Sequence, residues 1–281
     1  MNKLNDIKIA VSISPEKSKF SPLLFAGDIY KGISTASELG YDGVEISIRD
    51  SDLINKQEII SLFEKFNIKA LSIATGQSYF TDGYCFSSPD KENREYALKR
   101  MKGHADFASI LNCGLVVGGI LGNVREKFGK ASDIEKRIID SFYKFAEYAK
   151  QKSVKIFFEP INLYLTYLIC TLDEGAEFIK TFGSFNNIEL LPDTHHMHME
   201  EKSAVKSLKK HIKLINYIHF SDSNRQAPGF GNIDFTNIVI TLKKEKFKGI
   251  ISFEILPVPD DYKAAMQAIN HTKKLIQNIR A

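Results

Sequence analysis

The sequence predicts an α/β chain folded as a single-domain (β/α)8 TIM barrel, and two observations carry that expectation. Eight short aliphatic runs alternate with amphipathic segments along the 281 residues. The last four of those runs each close on a polar side chain, namely Glu159, Asp193, His219 and Glu254. Eight strand-and-helix alternations suit a closed parallel sheet with its helices outside. A run apolar throughout reads as a strand buried on both faces, so a polar residue at its end should emerge at the strand's C-terminal edge.

In chain order the predicted strands are IKIAVSIS (7–14), GVEIS (43–47), IKALSIA (68–74), GLVVGG (114–119), VKIFFE (154–159), IELLPD (188–193), INYIHF (215–220) and IISFEI (250–255). Helical periodicity fills the gaps; over 133–150, Ile134, Ile138, Phe142, Phe145 and Tyr148 recur at three- and four-residue steps. An open doubly wound sheet would normally place a glycine-rich phosphate loop after its first strand, and SISPEKSKF is not one. No linker or low-complexity tract interrupts the alternation, so residues 1–281 are expected to form one domain, a length ordinary for α/β barrels. Two connections are longer than the rest. Gly76 to Pro89 carries Tyr79, Phe80, Tyr84 and Phe86, placed to act as a lid over a small ligand or to pack onto neighbouring helices. Ser221 to Asp234 is polar and glycine-rich, with its own arginine.

Composition narrows the function classes. With 43% hydrophobic and 26% charged residues the chain can bury a large core and carries no signature of disorder. Its net charge of +4 is mildly basic, and Lys206, Lys209, Lys210 and Lys213 read as a solvated helix face rather than a nucleic-acid surface. Cys85, Cys113 and Cys170 are odd in number and lack metal-type spacing, as expected of a reduced cytoplasmic protein. No apolar stretch suits a signal peptide or membrane span, so neither membrane nor nucleic acid is an expected partner.

Glu159, Asp193, His219 and Glu254 lie 34, 26 and 35 residues apart, about one strand-plus-helix unit each. Three carboxylates and an imidazole converging on the mouth of a barrel make a site for one divalent metal ion. Oxygen and imidazole donors favour Mn²⁺, Mg²⁺ or Co²⁺ over a thiolate-seeking metal, with Zn²⁺ as an alternative. Glu254 is the hardest of the four to read as structural, because a carboxylate within IISFEIL has no positive neighbour in sequence and its burial is costly without one.

The full pattern resembles the sugar phosphate isomerase/epimerase group of xylose isomerase-like barrels, also described as AP endonuclease family 2, and within it the ketose 3-epimerases acting on D-tagatose and D-psicose. The resemblance covers nearly the whole chain. It rests on Glu159-Pro160-Ile161-Asn162, on Asp193-Thr194-His195-His196, on His219 followed by Asp222-Ser223-Asn224-Arg225, and on Glu254. It implies that Glu159, Asp193, His219 and Glu254 hold the metal, that Glu159 and Glu254 are also the catalytic acid–base pair, and that His196 and Arg225 bind substrate oxygens. It also implies a small-molecule sugar substrate and a homodimer or homotetramer. The chain departs from the family at one place. Where the 3-epimerases continue Arg-Tyr-Glu after the strand-5 motif, with the Glu contacting substrate near its carbonyl end, this sequence reads Leu163-Tyr164-Leu165.

The chemistry agrees with that implication. A proton α to a carbonyl is too weakly acidic for an unaided carboxylate, so a Lewis acid must stabilise the developing enediolate. Two carboxylates on opposite faces then divide proton removal and return. Return to the opposite face epimerises that carbon; return to its neighbour makes an aldose–ketose or hydroxypyruvate/inosose-type isomerase with nearly the same residues. Two readings rank lower. A non-catalytic sugar-binding barrel would follow from Leu163 and Leu165, and an endonuclease IV-like repair enzyme would need further histidines after strands 3 and 4, where the sequence reads ATGQ and VGGI. Gly229 and Gly231 offer backbone N–H groups where a phosphate would bind, but a free sugar is the expected substrate.

Overall fold

The computed structural model describes residues 7–18, 22–123 and 128–278. All eight expected strands are present: β1 (Lys8–Ile13), β2 (Gly43–Ser47), β3 (Ala70–Ala74), β4 (Gly114–Val117), β5 (Ile156–Phe158), β6 (Ile188–Leu190), β7 (Tyr217–Phe220) and β8 (Ile250–Phe253). They form one parallel sheet in the order β6-β5-β4-β3-β2-β1-β8-β7. The ring closes between β6 and β7 through single bridges, Leu190 with Ile215 and Asp193 with His219, rather than a continuous ladder. Pro192 lies in this seam and has no N–H to donate, although its carbonyl accepts from His219 N at 2.9 Å. The barrel is therefore loosest in hydrogen bonding where two of the polar residues meet.

Helices follow each strand: α1 (Ile29–Glu38), α2 (Lys56–Phe66), the short α3 (Gln77–Phe80), α4 (Lys91–Leu111), α5 (Ala131–Gln151), α6 (Leu172–Lys180), α7 (Thr194–Glu200), α8 (Ala204–His211), α9 (Phe235–Lys244) and α10 (Asp261–Asn278). Local chemistry sets many of their starts. Asp28, Asn55, Asp90, Ser203 and Asp234 each accept a first-turn N–H, and Thr171 with Glu174 makes a capping box. The periodic segment 133–150 lies within α5, which buries Ile134, Ile138, Phe142 and Phe145 and sets Phe142 edge-on to Phe158 of β5, 5.9 Å between ring centres.

Strand alternation places the site. Outward residues such as Ile156, Phe158, Ile218, Phe220, Ile251 and Phe253 join the large core between sheet and helices. Inward residues Ala74, Val116, Phe157, Leu191 and Tyr217 form a smaller core inside the barrel. One pleat repeat beyond Phe157, Leu191 and Tyr217, on the same inward face, come Glu159, Asp193 and His219. The apolar layer is the floor on which the polar residues stand.

The connection from Gly76 to Pro89 is only partly the loop its sequence suggests. Residues 77–80 form α3, Phe86 is buried in the outer core, and Tyr84 stacks on Tyr96 at 5.5 Å. Asp82 fastens it, accepting from Arg49 Nε at 2.9 Å and Nη2 at 2.6 Å and pairing with Arg100. The Arg49 hydrogen bond first, and the Arg100 pair as well, hold the Asp82 carboxyl below its ordinary value against the opposing effect of burial. A carboxyl depressed on folding stabilises the fold above the unfolded pKa and loses that contribution as pH falls through the folded value. Asp82→Asn is thus expected to lower the melting temperature at neutral pH and to converge with the parent protein in acid. Melting curves from neutral pH to about pH 2 check this, and parallel curves for the two proteins would refute it.

Candidate metal centre and active site

Glu159 follows β5 directly, Asp193 lies three residues past β6, His219 is within β7 and Glu254 follows β8. All four are buried, and one donor atom from each lies within 4.8 Å of the others. Donors about 2.1 Å from a common cation can be at most about 4.2 Å apart, so a small contraction would bring the set into coordination. His219 is the hub. Its Nδ1 lies 3.0 Å from Glu159 Oε1, 3.6 Å from Asp193 Oδ2 and 4.0 Å from Glu254 Oε2.

The opposite ring nitrogen explains that orientation. His219 Nε2 lies 3.1 Å from Glu45 Oε2, and the same carboxylate oxygen accepts from Ser72 Oγ at 2.8 Å and from the Tyr217 hydroxyl at 2.9 Å. A carboxylate held against one imidazole nitrogen turns the other toward a metal and raises its basicity. Glu45 was not singled out by the sequence reading. The signal was present in GVEIS, a strand buried throughout with an unexplained carboxylate, the same argument that selects Glu254.

Electrostatics describe a site poised for a cation. Burial opposes the His219 imidazolium, but the charges of Glu45 and Glu159 outweigh it and carry its pKa well above the usual value. Burial also pushes Glu254 up to about 8, with Glu159 and Asp193 adding to the rise and Arg225 and His219 opposing it. Glu159 is raised too, first by burial. Burial would raise Asp193 as well, but the charge of Arg225 and its other partners hold it well below the ordinary range. Carboxylates crowded in a low-dielectric pocket favour a bound divalent ion, and binding would release the His219 proton. The donor set, three oxygens and one nitrogen facing inward, fits such an ion.

Asp193 has two roles. Its Oδ1 caps α7, accepting from His195 N at 2.7 Å and His196 N at 3.3 Å, while Oδ2 faces the cluster. Capping of α7 therefore coexists with a place in the four-residue cluster. Arg225 crosses the site with Nη1 2.5 Å from Asp193 Oδ2 and Nη2 against Glu254 Oε2. It stands at a left-handed φ of 61° in a connection tied down by the buried Asp222, which accepts from Ser223 N, Gly229 N and Ile233 N at 2.8–3.0 Å. The Gly229 N–H is thereby committed to a carboxylate.

A cavity of about 360 Å³ opens over the cluster, lined in part by Glu159, Glu254, His195, His196 and Arg225. His196 is pushed down to about 3, first by burial, and is neutral. Asn162 Nδ2 donates to its Nδ1 at 2.7 Å, which leaves the proton on Nε2. Asn162 is thus a second contributor whose role the motif alone did not assign, and His195 is a third. Of the two leucines that depart from the family pattern, Leu165 lines the cavity whereas Leu163 is 48% exposed. Of the four aromatic residues between Gly76 and Pro89, Phe80 reaches the main cavity.

Among the described residues, Glu159, Asp193, His219 and Glu254 are the one group placed to hold a metal. The ends of β3 and β4 supply no histidine, and His104 is enclosed on α4 between Ser51 and Ser78. Similarity to known proteins follows the same lines. The chain is 29% identical over 234 residues to the L-ribulose 3-epimerase of Methylomonas sp. (strain DH-1), covering 80% of this chain and 77% of that protein. It is 22% identical over 239 residues to the 3-dehydro-D-guloside 4-epimerase of Escherichia coli (strain K12), covering 82% and 88%. The crystal structure of D-allulose 3-epimerase from Methylomonas sp. superposes with a TM-score of 0.82 at 23% identity, over 96% of this chain and 98% of that one, and shares the fold. The sequence pattern of the xylose isomerase-like TIM barrels matches residues 33–274. With that pattern spanning most of its length and an eight-stranded parallel ring beneath it, the chain belongs to the xylose isomerase-like TIM barrel family.

Proposed function

We propose that this protein is a metal-dependent sugar epimerase that inverts C3 of a ketose. The observation that carries the reading is the pairing of two buried carboxylates, Glu159 and Glu254, within one cation-ready cluster under a sugar-sized cavity. Support comes also from relatives named as epimerases of keto sugars. Glu159, Asp193, His219 and Glu254 would hold the ion, with Mn²⁺ the first choice for this donor set. A divalent ion held there would supply Lewis acidity toward the negative charge that develops as the C3 proton leaves.

The chain's own residues do the rest. One of Glu159 and Glu254 removes the proton from C3 and the other delivers one from the opposite face. Neutral His196, held by Asn162, donates from Nε2 to a substrate oxygen, and Arg225 presents guanidinium N–H groups beside it. Burial around the cluster excludes bulk water and strengthens each of these interactions. A reducing cytoplasmic setting agrees with three unpaired cysteines, and a homodimer or homotetramer remains the expected assembly.

The test is proton exchange in D2O. Metal-loaded protein offered a panel of ketoses should place deuterium at C3 and form the C3 epimer. Label appearing at C1 with aldose formation would make it an aldose–ketose isomerase, and no exchange into any ketose would refute the reading.

A further inference from the structure

The cavity over the metal centre is divided by chemistry. Its polar lining comes from the β5 to β8 side, with Glu159, His196, Arg225 and Glu254. The rest of the lining is Pro22 after β1, Ala74 and Val116 on the floor, Gly76 and Phe80 after β3, Gly118 and Gly119 after β4, and Ile161 and Leu165 after β5. A ketose hydroxylated at every carbon would bring hydroxyl groups against this side with no polar side chain to pair them, and an unpaired polar group in an apolar site opposes binding.

A small recess continues from the apolar side. It has a volume of about 10 Å³ and shares Phe80, Gly118, Gly119, Glu159, Ile161 and Leu165 with the main cavity, Glu159 standing where the two spaces join. That is room for at most about one group the size of a water molecule or a methyl, and the apolar walls favour the methyl. Leu121, Phe158, Leu168 and Ile169 surround it. Its polar side chains are engaged: Glu159 Oε1 lies 3.0 Å from His219 Nδ1, Thr166 Oγ1 donates to Gly122 O at 3.0 Å and accepts from Leu168 N at 3.3 Å, and the Tyr79 hydroxyl accepts from Asn123 N at 2.9 Å. The wall at Gly118 and Gly119 is bare backbone because a Cβ there would lie 2.8 Å from Ile161 Cδ1 or 3.0 Å from Phe80 Cε2.

We propose that the preferred substrate is a deoxyketose, a ketose with a methyl terminus that enters the recess between Phe80, Ile161 and Leu165. The inference rests on the epimerase reading and deepens it, because the same acid–base pair acts while the apolar side selects the sugar. Leu165 is the specificity-determining residue. A hydrophobic pocket discriminates against an added hydroxyl by about a hundredfold at most, which sets the scale of the expected preference.

The experiment compares kcat/KM of the metal-loaded enzyme for a ketopentose and a ketohexose, each beside its 1-deoxy and its terminal-deoxy analogue, with C3 deuterium exchange as readout. At least one deoxy compound should exceed its parent by about ten- to a hundredfold, and which one does identifies the sugar end that occupies the recess. Leu165→Gln should erase or reverse that preference, lowering kcat/KM for the deoxy compound relative to its parent. Parent sugars matching or exceeding the deoxy analogues in every pair would overturn the substrate inference and leave the epimerase reading standing. Absence of exchange from all six compounds would overturn both.

Discussion

Replacing Glu254 with Gln is expected to reduce C3 exchange by about 10²–10⁴-fold, the usual contribution of a positioned acid or base. The substitution keeps the side chain's size and an oxygen donor, so the metal can still be held by Glu159, Asp193 and His219. It removes the group able to accept or deliver a proton on one face of the sugar. Arg225 loses its charge partner on that side, which keeps only Asp193. Deuterium exchange at saturating metal, measured beside calorimetric metal affinity, separates the two effects. A variant that binds metal tenfold more weakly yet exchanges at the parent rate once saturated would show that Glu254 is a ligand without a role in proton transfer.

Glu45→Gln is expected to weaken metal binding by about 10–100-fold, the range typical for a lost partner behind a ligating histidine. Three donors, from Ser72, Tyr217 and His219, converge on Glu45 Oε2 inside the barrel. An amide cannot supply the negative charge that fixes the His219 tautomer, and its NH2 adds a donor to a place already filled with donors. Burial alone would raise the Glu45 carboxyl, but the charge and hydrogen bonds of its partners outweigh it and keep it ionised. Glu45→Ala should cost more in stability, about 3–5 kcal/mol, because it leaves the His219 charge without one of its buried partners. Titration of apo protein with Mn²⁺ provides the readout independent of turnover. Unchanged affinity in Glu45→Gln, with a lowered melting temperature alone, would reduce Glu45 to a structural role.

The four residues of the candidate metal centre were legible because local rules reach them. Each ends or nearly ends an apolar run, and the pleat repeat places Glu159, Asp193 and His219 on the inward face with Phe157, Leu191 and Tyr217. Glu45 was harder to see for a converse reason. It lies inside its strand rather than at the end, and the histidine that explains it is 174 residues away in the chain. The resemblance put Leu165 at the substrate-contacting position, but no periodicity argument applies to the irregular segment after β5 and nothing local placed Leu163. One is exposed and the other lines the cavity. The glycine-rich connection after β7 likewise gave no sign that Asp222 would gather its N–H groups.

The order of strands and helices, the inward set of polar residues and the donor chemistry of the four-residue cluster were determined by the sequence itself. Strand alternation, helix caps and the cost of burying an unpaired carboxylate act over a few residues at a time. Tertiary structure alone decided the seam at Pro192, the turning of His219 by Glu45, the bond from Asn162 to His196 and the recess beside Leu165. Each depends on side chains from separate strands and loops meeting across a closed ring, and their separation in space is set by the packing of the whole barrel rather than by any local stretch of chain.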